Sequence, residues 1–250
     1  MSKKGRRMSI VLLMLVGMLW LASPAVAIEG STLLKQIDAN LQPESFESYR
    51  KLINIEPSGA QREFLLYTLK KGQDKIASLF LTPASDAGRA TLRLGDNMWL
   101  YIPNVGKPIR ITSLQSVVGG VFNNADIMRL DYHVEYDVRQ LEELGAEYLL
   151  DLQAKTGAVA YDKLKMWVEK STVVPTKIEC YAATGLLIKT LYFKERKPFD
   201  DGTLRPAVIE TDSPLYKGYR SIIVYAKVQK RSLPDEVFTL DFLPRLGSMR

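Results

Sequence analysis

Few side chains in this sequence are equipped for chemistry, and their spacing limits what they can do. His133 is the one histidine and Cys180 the one cysteine among 250 residues. A transition-metal cage needs several clustered imidazole or thiolate ligands, and a Ser-His-Asp triad needs a histidine with an ordered set of partners. One histidine and one distant cysteine argue against both. The lone cysteine also excludes an internal disulfide, and its place in TKIECYAA, among alternating apolar positions, suits a small buried hydrophobe. Glu142-Glu143 and Asp200-Asp201 are acidic pairs in polar stretches, where a solvated face is a commoner role than general acid–base work. Asp126, Asp131 and Glu135 offer oxygen ligands for calcium, but without the ligand density and glycine placement of a recognised calcium loop. No glycine-rich phosphate loop follows a strand, and there is no G-x-S-x-G elbow. The expectation is a non-enzyme with no catalytic residue, metal or cofactor.

What the sequence supplies instead is apolar side chains, and the elements that carry them alternate. The stretch 88–112 shows this most plainly. Ala90, Leu92 and Leu94 point one way, while Thr91 and Arg93 point the other. Gly95-Asp96-Asn97 has turn chemistry, and 98–102 is apolar on both faces, with Trp99 and Tyr101 on one side and Met98, Leu100 and Ile102 on the other. A second reversal through Pro103, Asn104 and Gly106 leads to Ile109 and Ile111, which flank Arg110. The same alternation predicts strands over 46–56, 62–71, 75–82, 147–153, 163–168, 176–182, 186–194, 205–211 and 219–228. Between 113 and 144 the pattern breaks at Gly119-Gly120 and Asn123-Asn124, and short helical turns are expected at 125–130 and 138–144. An irregular insertion of this length in a β domain is often functional or covers an opening. A helix is predicted at 31–41, with Ser31 as its N-cap and Leu33, Leu34, Ile37 and Leu41 on one face. A tail carrying Val237, Phe238, Leu240 and Phe242 should pack back onto the sheet.

Residues 1–27 read as a secretory signal peptide. Lys3, Lys4, Arg6 and Arg7 form the basic start, 8–21 is apolar, and Ala25-Val26-Ala27 is a small-x-small cleavage site. Cleavage after Ala27 leaves Ile28 first and not a cysteine, so N-terminal lipidation is not expected. The leader carries four of the 34 basic residues and no acids, which leaves 30 against 28, or +2. The basic balance therefore belongs largely to the leader, and the case for a nucleic-acid partner disappears with it. Residues 28–250 are expected to form a single β domain.

The expected architecture, mainly β, is an antiparallel barrel or strongly curved sheet of about ten or eleven strands, stoppered by one or two short helices. A barrel of about eight strands is filled by its own side chains, whereas more strands open an interior. An exported, histidine-poor, apolar-lined cup suits acyl chains. The inward apolar residues expected to line it are Leu66, Phe80, Leu92, Leu94, Leu100, Ile111, Leu150, Met166 and Ile222. Trp99, Tyr101 and Phe122 are expected in the cavity or against the lid. A one-residue slip would invert the face assigned to 62–71, 75–82 and 97–102.

The run from Arg89 to Pro103 (RATLRLGDNMWLYIP), followed by Arg110-Ile111, resembles the signature of the outer-membrane lipoprotein-sorting proteins of the LolA/LolB superfamily. Upstream, Asp74-Lys75 through Leu79-Phe80-Leu81-Thr82-Pro83 is similar to the preceding strand of that family. Downstream, Trp167-Val168, Pro175, Lys177-Ile178-Glu179, Gly185 and Lys189-Thr190 are similar to its second half. One segment departs from the pattern: Phe122 and Asp126 fit, but Val121 and Ala125 stand where acids are expected. The resemblance implies an unclosed antiparallel β-barrel with a short helical lid over a hydrophobic cavity, and a periplasmic carrier, a chaperone in outer-membrane biogenesis. It would bind acyl chains of lipoproteins or other lipids, with an inner-membrane transporter as donor and an outer-membrane acceptor. The alternative is a lipid-responsive periplasmic sensor or scaffold that holds a partner protein. Burying one chain of about 14–16 carbons contributes on the order of 10 kcal/mol at ~0.8 kcal/mol per methylene. Three fully buried chains would exceed the practical affinity ceiling near ~20 kcal/mol. A carrier that releases its cargo should therefore bury chains partly, in an open cup with a movable lid.

Overall fold

Alternating side chains organise nearly the whole chain into one antiparallel sheet. The structure, a computed structural model, describes residues 29–250, and the expected leader lies outside the described residues. Helix α1 (Gly30–Leu41) comes first, then β1 (Ser45–Ile55), β2 (Gln61–Lys71), β3 (Lys75–Thr82), β4 (Ala90–Leu94), β5 (Asn97–Tyr101) and β6 (Ile109–Ile111). Two single-turn helices follow, α2 (Asn124–Ile127) and α3 (Tyr132–Glu135). The second run of strands is β7 (Tyr136–Leu144), β8 (Glu147–Ala154), β9 (Lys163–Glu169), β10 (Val174–Tyr181), β11 (Leu187–Pro198), β12 (Leu204–Asp212) and β13 (Arg220–Lys230). The chain ends in 3-10 helices at Asp235–Phe238 and Leu240–Met249.

The strands lie in the order β6-β5-β4-β3-β2-β1-β13-β12-β11-β10-β9-β8-β7. Each pairs with its chain neighbour, except that β1 joins β13 and so links the two runs. Strands β6 and β7 are the two free edges, so the sheet is an unclosed barrel, mainly β with few helices. It has 13 strands where about ten or eleven were expected.

The main difference is β7, expected as helical turns because Val138, Leu141 and Leu144 recur every third residue. A register shift between Val138 and Gln140 explains the spacing. The extra residue of a bulge reverses the side-chain alternation, and Val138 and Leu141 both pack against the inner core. Helix α1 forms as expected, but its N-cap is Glu29 and not Ser31. Ser31 Oγ instead donates to the Glu29 carboxylate at 2.6 Å.

Both faces of the first half of the sheet are buried, and they face different things. On the concave face, Phe64, Leu66, Ile76, Phe80 and Met98 join Leu150, Met166, Ile178 and Ile223 from the second half in one core. Leu33, Leu34 and Ile37 of α1 and Phe122, Ile127, Met128 and Leu130 of the 113–135 segment close that core from the open side. On the convex face, Tyr67, Leu69, Ala77, Leu79, Ala90 and Leu92 form a second core under Leu233, Val237, Phe238, Leu243 and Leu246 of the C-terminal segment. The tail packs on the sheet as its apolar residues predict, but on the outside of the cup.

Candidate functional site: the cup and its cover

Parity along each strand decides what the cup presents. Across β8 to β10 the concave face is apolar: Leu150 and Leu152 on β8, Leu164 and Met166 on β9, and Ile178 and Cys180 on β10 are all buried. Cys180 has its thiol pushed well above the ordinary range by burial, so it behaves as the small hydrophobe its context predicts. In the first half, polar groups stand among the apolar ones. Ser48, Arg50, Thr68, Lys70, Ser78, Thr91 and Arg93 are buried, on the parity that faces inward.

The cover, α1 with residues 113–135, is fastened to those groups. From β1, Arg50 Nη2 donates to the Ile127 carbonyl at 2.6 Å. From β2, Lys70 Nζ meets Asp131 at 2.7 Å, and Gln42 Nε2 donates to the same carboxylate at 2.9 Å. From β4, Arg93 pairs with Glu135 and also donates to the Met128 carbonyl at 3.0 Å. From β11, Lys189 Nζ meets Asp126 at 2.8 Å and donates to the Val121 carbonyl. Tyr161 completes that corner by donating to Asp126 at 2.9 Å. Burial pushes the Asp131 carboxyl up, but Lys70 and the Gln42 amide more than offset this and hold it below 3.8.

The cover is also braced within itself. Asp38 on α1 accepts from the backbone N–H groups of Tyr132 and His133 at 2.8 and 2.9 Å, so it ties α1 to the start of α3. His133 Nδ1 lies 2.9 Å from the same carboxylate. The one histidine is thus a strut between two cover elements. Asp38 is raised above 3.8 because burial outweighs the opposing effects of Arg129 and the two N–H groups. Asn123 and Asp126 form a reciprocal capping box at α2. Gly120 lies so close to β1 that an added Cβ would sit 2.1 Å from Asn54 Oδ1. Beside it, Ser221 Oγ accepts from the Val121 N–H and donates to Asn54 Oδ1, at 2.9 and 2.8 Å.

Under the cover is a cavity of about 40 Å³ whose walls include Asp126, Arg129, Tyr132, Ile178, Cys180 and Ile223. That is well below the ~150 Å³ of an engineered cavity that admits benzene. With the cover down, the space between it and the second half of the sheet is nearly filled by the protein's own side chains.

The residues predicted to line the cup fall in several places. Leu66, Phe80, Leu150 and Met166 are buried in the concave core with Phe122, and Ile111 packs against its margin. Leu100 and Ile111 flank a larger, more open cleft of about 300 Å³ beside Phe80 and Thr91. Leu92 and Leu94 are corrections: they belong to the convex core, and Thr91 and Arg93 take the concave face of β4. Trp99 and Tyr101 likewise pack against the convex core, so Met98 and Leu100 are the inward residues of β5. Ile222 alternates with Ser221 and Ile223, both of which face the cover or the concave core, so it lies on the convex side. The reason is common to β4 and β5. The C-terminal segment buries the outer face, so apolar parity there marks a covered outside.

Arg50, Lys70 and Asp38 carry no motif in the sequence, and Lys189 enters only through the family resemblance. The available signal was a cation on the apolar parity of a strand, as in Lys70 two residues after Thr68 and four after Leu66. Asp126, Asp131 and Glu135 were noted as oxygen ligands, and the structure pairs each with a cation. Among the described residues, no three His, Cys, Asp or Glu side chains come together as a metal-binding group.

A family model described as an uncharacterized protein matches residues 72–245. No curated protein matches the chain. Among solved structures, a LolA superfamily protein from Nitrosomonas europaea is similar at 29% identity and a TM-score of 0.78, over 86% of this chain and 100% of that one. A domain from Vibrio parahaemolyticus assigned to outer membrane lipoprotein sorting is similar at 20% identity and a TM-score of 0.71, over 86% and 98%. A DUF1329 family protein from Desulfovibrio piger is similar at 23% identity and a TM-score of 0.72, over 86% and 97%. This chain therefore belongs to the family that the model describes, and its fold is LolA-like.

Proposed function

We propose that the protein is a periplasmic carrier that holds acyl chains of lipoproteins or other lipids in its cup and passes them towards the outer membrane. The observation that carries this reading is how the concave core is closed. Its open side is sealed by a discrete cover, whose Ile127, Met128 and Leu130 press on the strand residues that would otherwise face an apolar guest. The cover has its own internal bracing through Asp38, so it can move as a unit. When it lifts, a chain would replace cover side chains against Leu66, Phe80, Leu150, Met166 and Ile178. One apolar surface would be exchanged for another at small net cost. A reversible exchange of this kind suits pick-up and release, and no step in it makes or breaks a covalent bond. The fold shared with the Nitrosomonas europaea protein supports the reading, as does the assignment of the Vibrio parahaemolyticus domain. Export through the 1–27 leader, with an inner-membrane donor and an outer-membrane acceptor, belongs to the same proposal.

The test is uptake by delipidated protein of a fluorescent fatty acid or an acylated peptide. Saturable binding that an unlabelled acyl chain displaces is expected. A delipidated protein that takes up neither ligand would overturn the proposal. A membrane protein that co-purifies while mass spectrometry detects no lipid would favour the sensor or scaffold alternative.

A further inference from the structure

The charges inside the cup are divided in a way that a container for apolar chains alone does not require. Arg50, Lys70, Arg93 and Lys189 come from four different strands and are each at most 5% exposed. Among the described residues, the acidic side chains in the buried class are Asp38, Asp131 and Glu135, and all three belong to the cover. Asp126, also on the cover, has a side chain 5% exposed. The concave sheet is thus basic, and its cover is acidic on balance even with Arg129 set against Asp38. Lifting the cover removes Asp126, Asp131, Glu135 and the Ile127, Met128 and Val121 carbonyls together, leaving four cations on a largely apolar wall. Stranding a buried charge is costly, and a neutral chain offers these cations nothing. Arg50 lacks a carboxylate even with the cover down: it donates to the Ile127 carbonyl and stands beside the Tyr225 hydroxyl, and its Nε has no partner. It borders a small cavity shared with Phe46, Thr68 and Asp126.

We infer that the cup's guest is an anionic amphiphile. Its head group takes over the cations that the cover's carboxylates now neutralise, and its chain lies on the apolar wall of β8 to β10. This inference rests on the carrier reading and adds the chemistry of the head group. A phosphate or a carboxylate meets the requirement, since both accept several charge-assisted hydrogen bonds. The anion and the cover compete for the same cations, so binding the one releases the other.

The experiment compares ligands of equal chain length on the full delipidated chain, each below its micellar concentration: dodecyl phosphate, laurate and the neutral dodecanol. Calorimetry should show the preferred anion binding at least about tenfold more tightly than dodecanol, and the phosphate and carboxylate arms identify which anion fits. At equal ligand concentration, hydrogen exchange should show the amides of Asp126, Tyr132 and His133 losing more protection with the anion than with dodecanol. The paired variant Lys70→Met with Asp131→Asn removes a cation without stranding its partner, and should narrow the anion preference while dodecanol affinity holds. Equal affinity for all three ligands in the unmodified protein would overturn the inference and leave the carrier reading standing. Failure of all three to bind would overturn both.

Discussion

Lys70 shows what a single side chain does in this molecule. Its ammonium is wholly buried, and its 2.7 Å contact with Asp131 holds a sheet strand to the cover. Removing one partner of such a pair strands the other, so Lys70→Met should lower unfolding stability by about 3–5 kcal/mol in urea titrations. Adding Asp131→Asn should recover much of that loss. The pH dependence follows from the carboxyls. Lys70 holds Asp131 below 3.8 despite burial, and the Arg205 hydrogen bonds hold Asp201 below 3.8. Glu47 is held below 4.5 by Arg231 and Tyr67 despite burial. A depressed carboxyl contributes stability that is fully present above its unfolded value and is lost as pH falls through its folded one. Asp38 is raised by burial, so its contribution has the opposite sign: it is present below 3.8 and lost as pH rises through the folded value. The urea midpoint should therefore fall as pH drops below about 4. Asp131→Asn should flatten that fall, and Asp38→Asn should remove the opposing contribution.

At the scale of elements, the C-terminal segment explains most of what the sequence could not reveal. Where strands bury one face, alternation reports inside and outside; where they bury both, it reports only parity. Strand positions were therefore legible, and Leu66, Phe80, Leu150 and Met166 read correctly as concave, while Leu92 and Leu94 read on the wrong side. Trp99 and Tyr101 could not be placed by pattern because β5 is apolar on both faces. The tail's apolar spacing was legible but its docking face was not, since that depends on which surface is left uncovered. Strand β7 was lost for another reason: a bulge imitates helical spacing, and only its pairing with β8 reveals it. The tail makes its own prediction. Leu246 is fully buried against the convex face, so Leu246→Ala should cost about 2–5 kcal/mol. Truncation before Leu233 should uncover Tyr67, Leu69, Leu79 and Leu92, raising binding of a dye such as ANS and promoting aggregation. An unchanged dye signal would mean that this core does not depend on the tail.

Over the whole molecule, a curved sheet with two free edges makes a cup, and a braced cover fastened through its carboxylates closes it. The fold was legible because thirteen strands leave a long record of alternation and turn residues. The polar fastening was not, because it joins residues far apart in the chain, as in Arg93 with Glu135 and Lys189 with Asp126. The central claim is that acyl chains occupy the concave face and not the convex one. Photo-crosslinking with a diazirine-bearing fatty acid, followed by peptide mapping, tests it directly. The account predicts label on the peptides that carry Leu150, Met166 and Ile178, with little on the C-terminal segment around Val237 and Leu246. Label concentrated on that C-terminal segment, or no specific label at all, would contradict it.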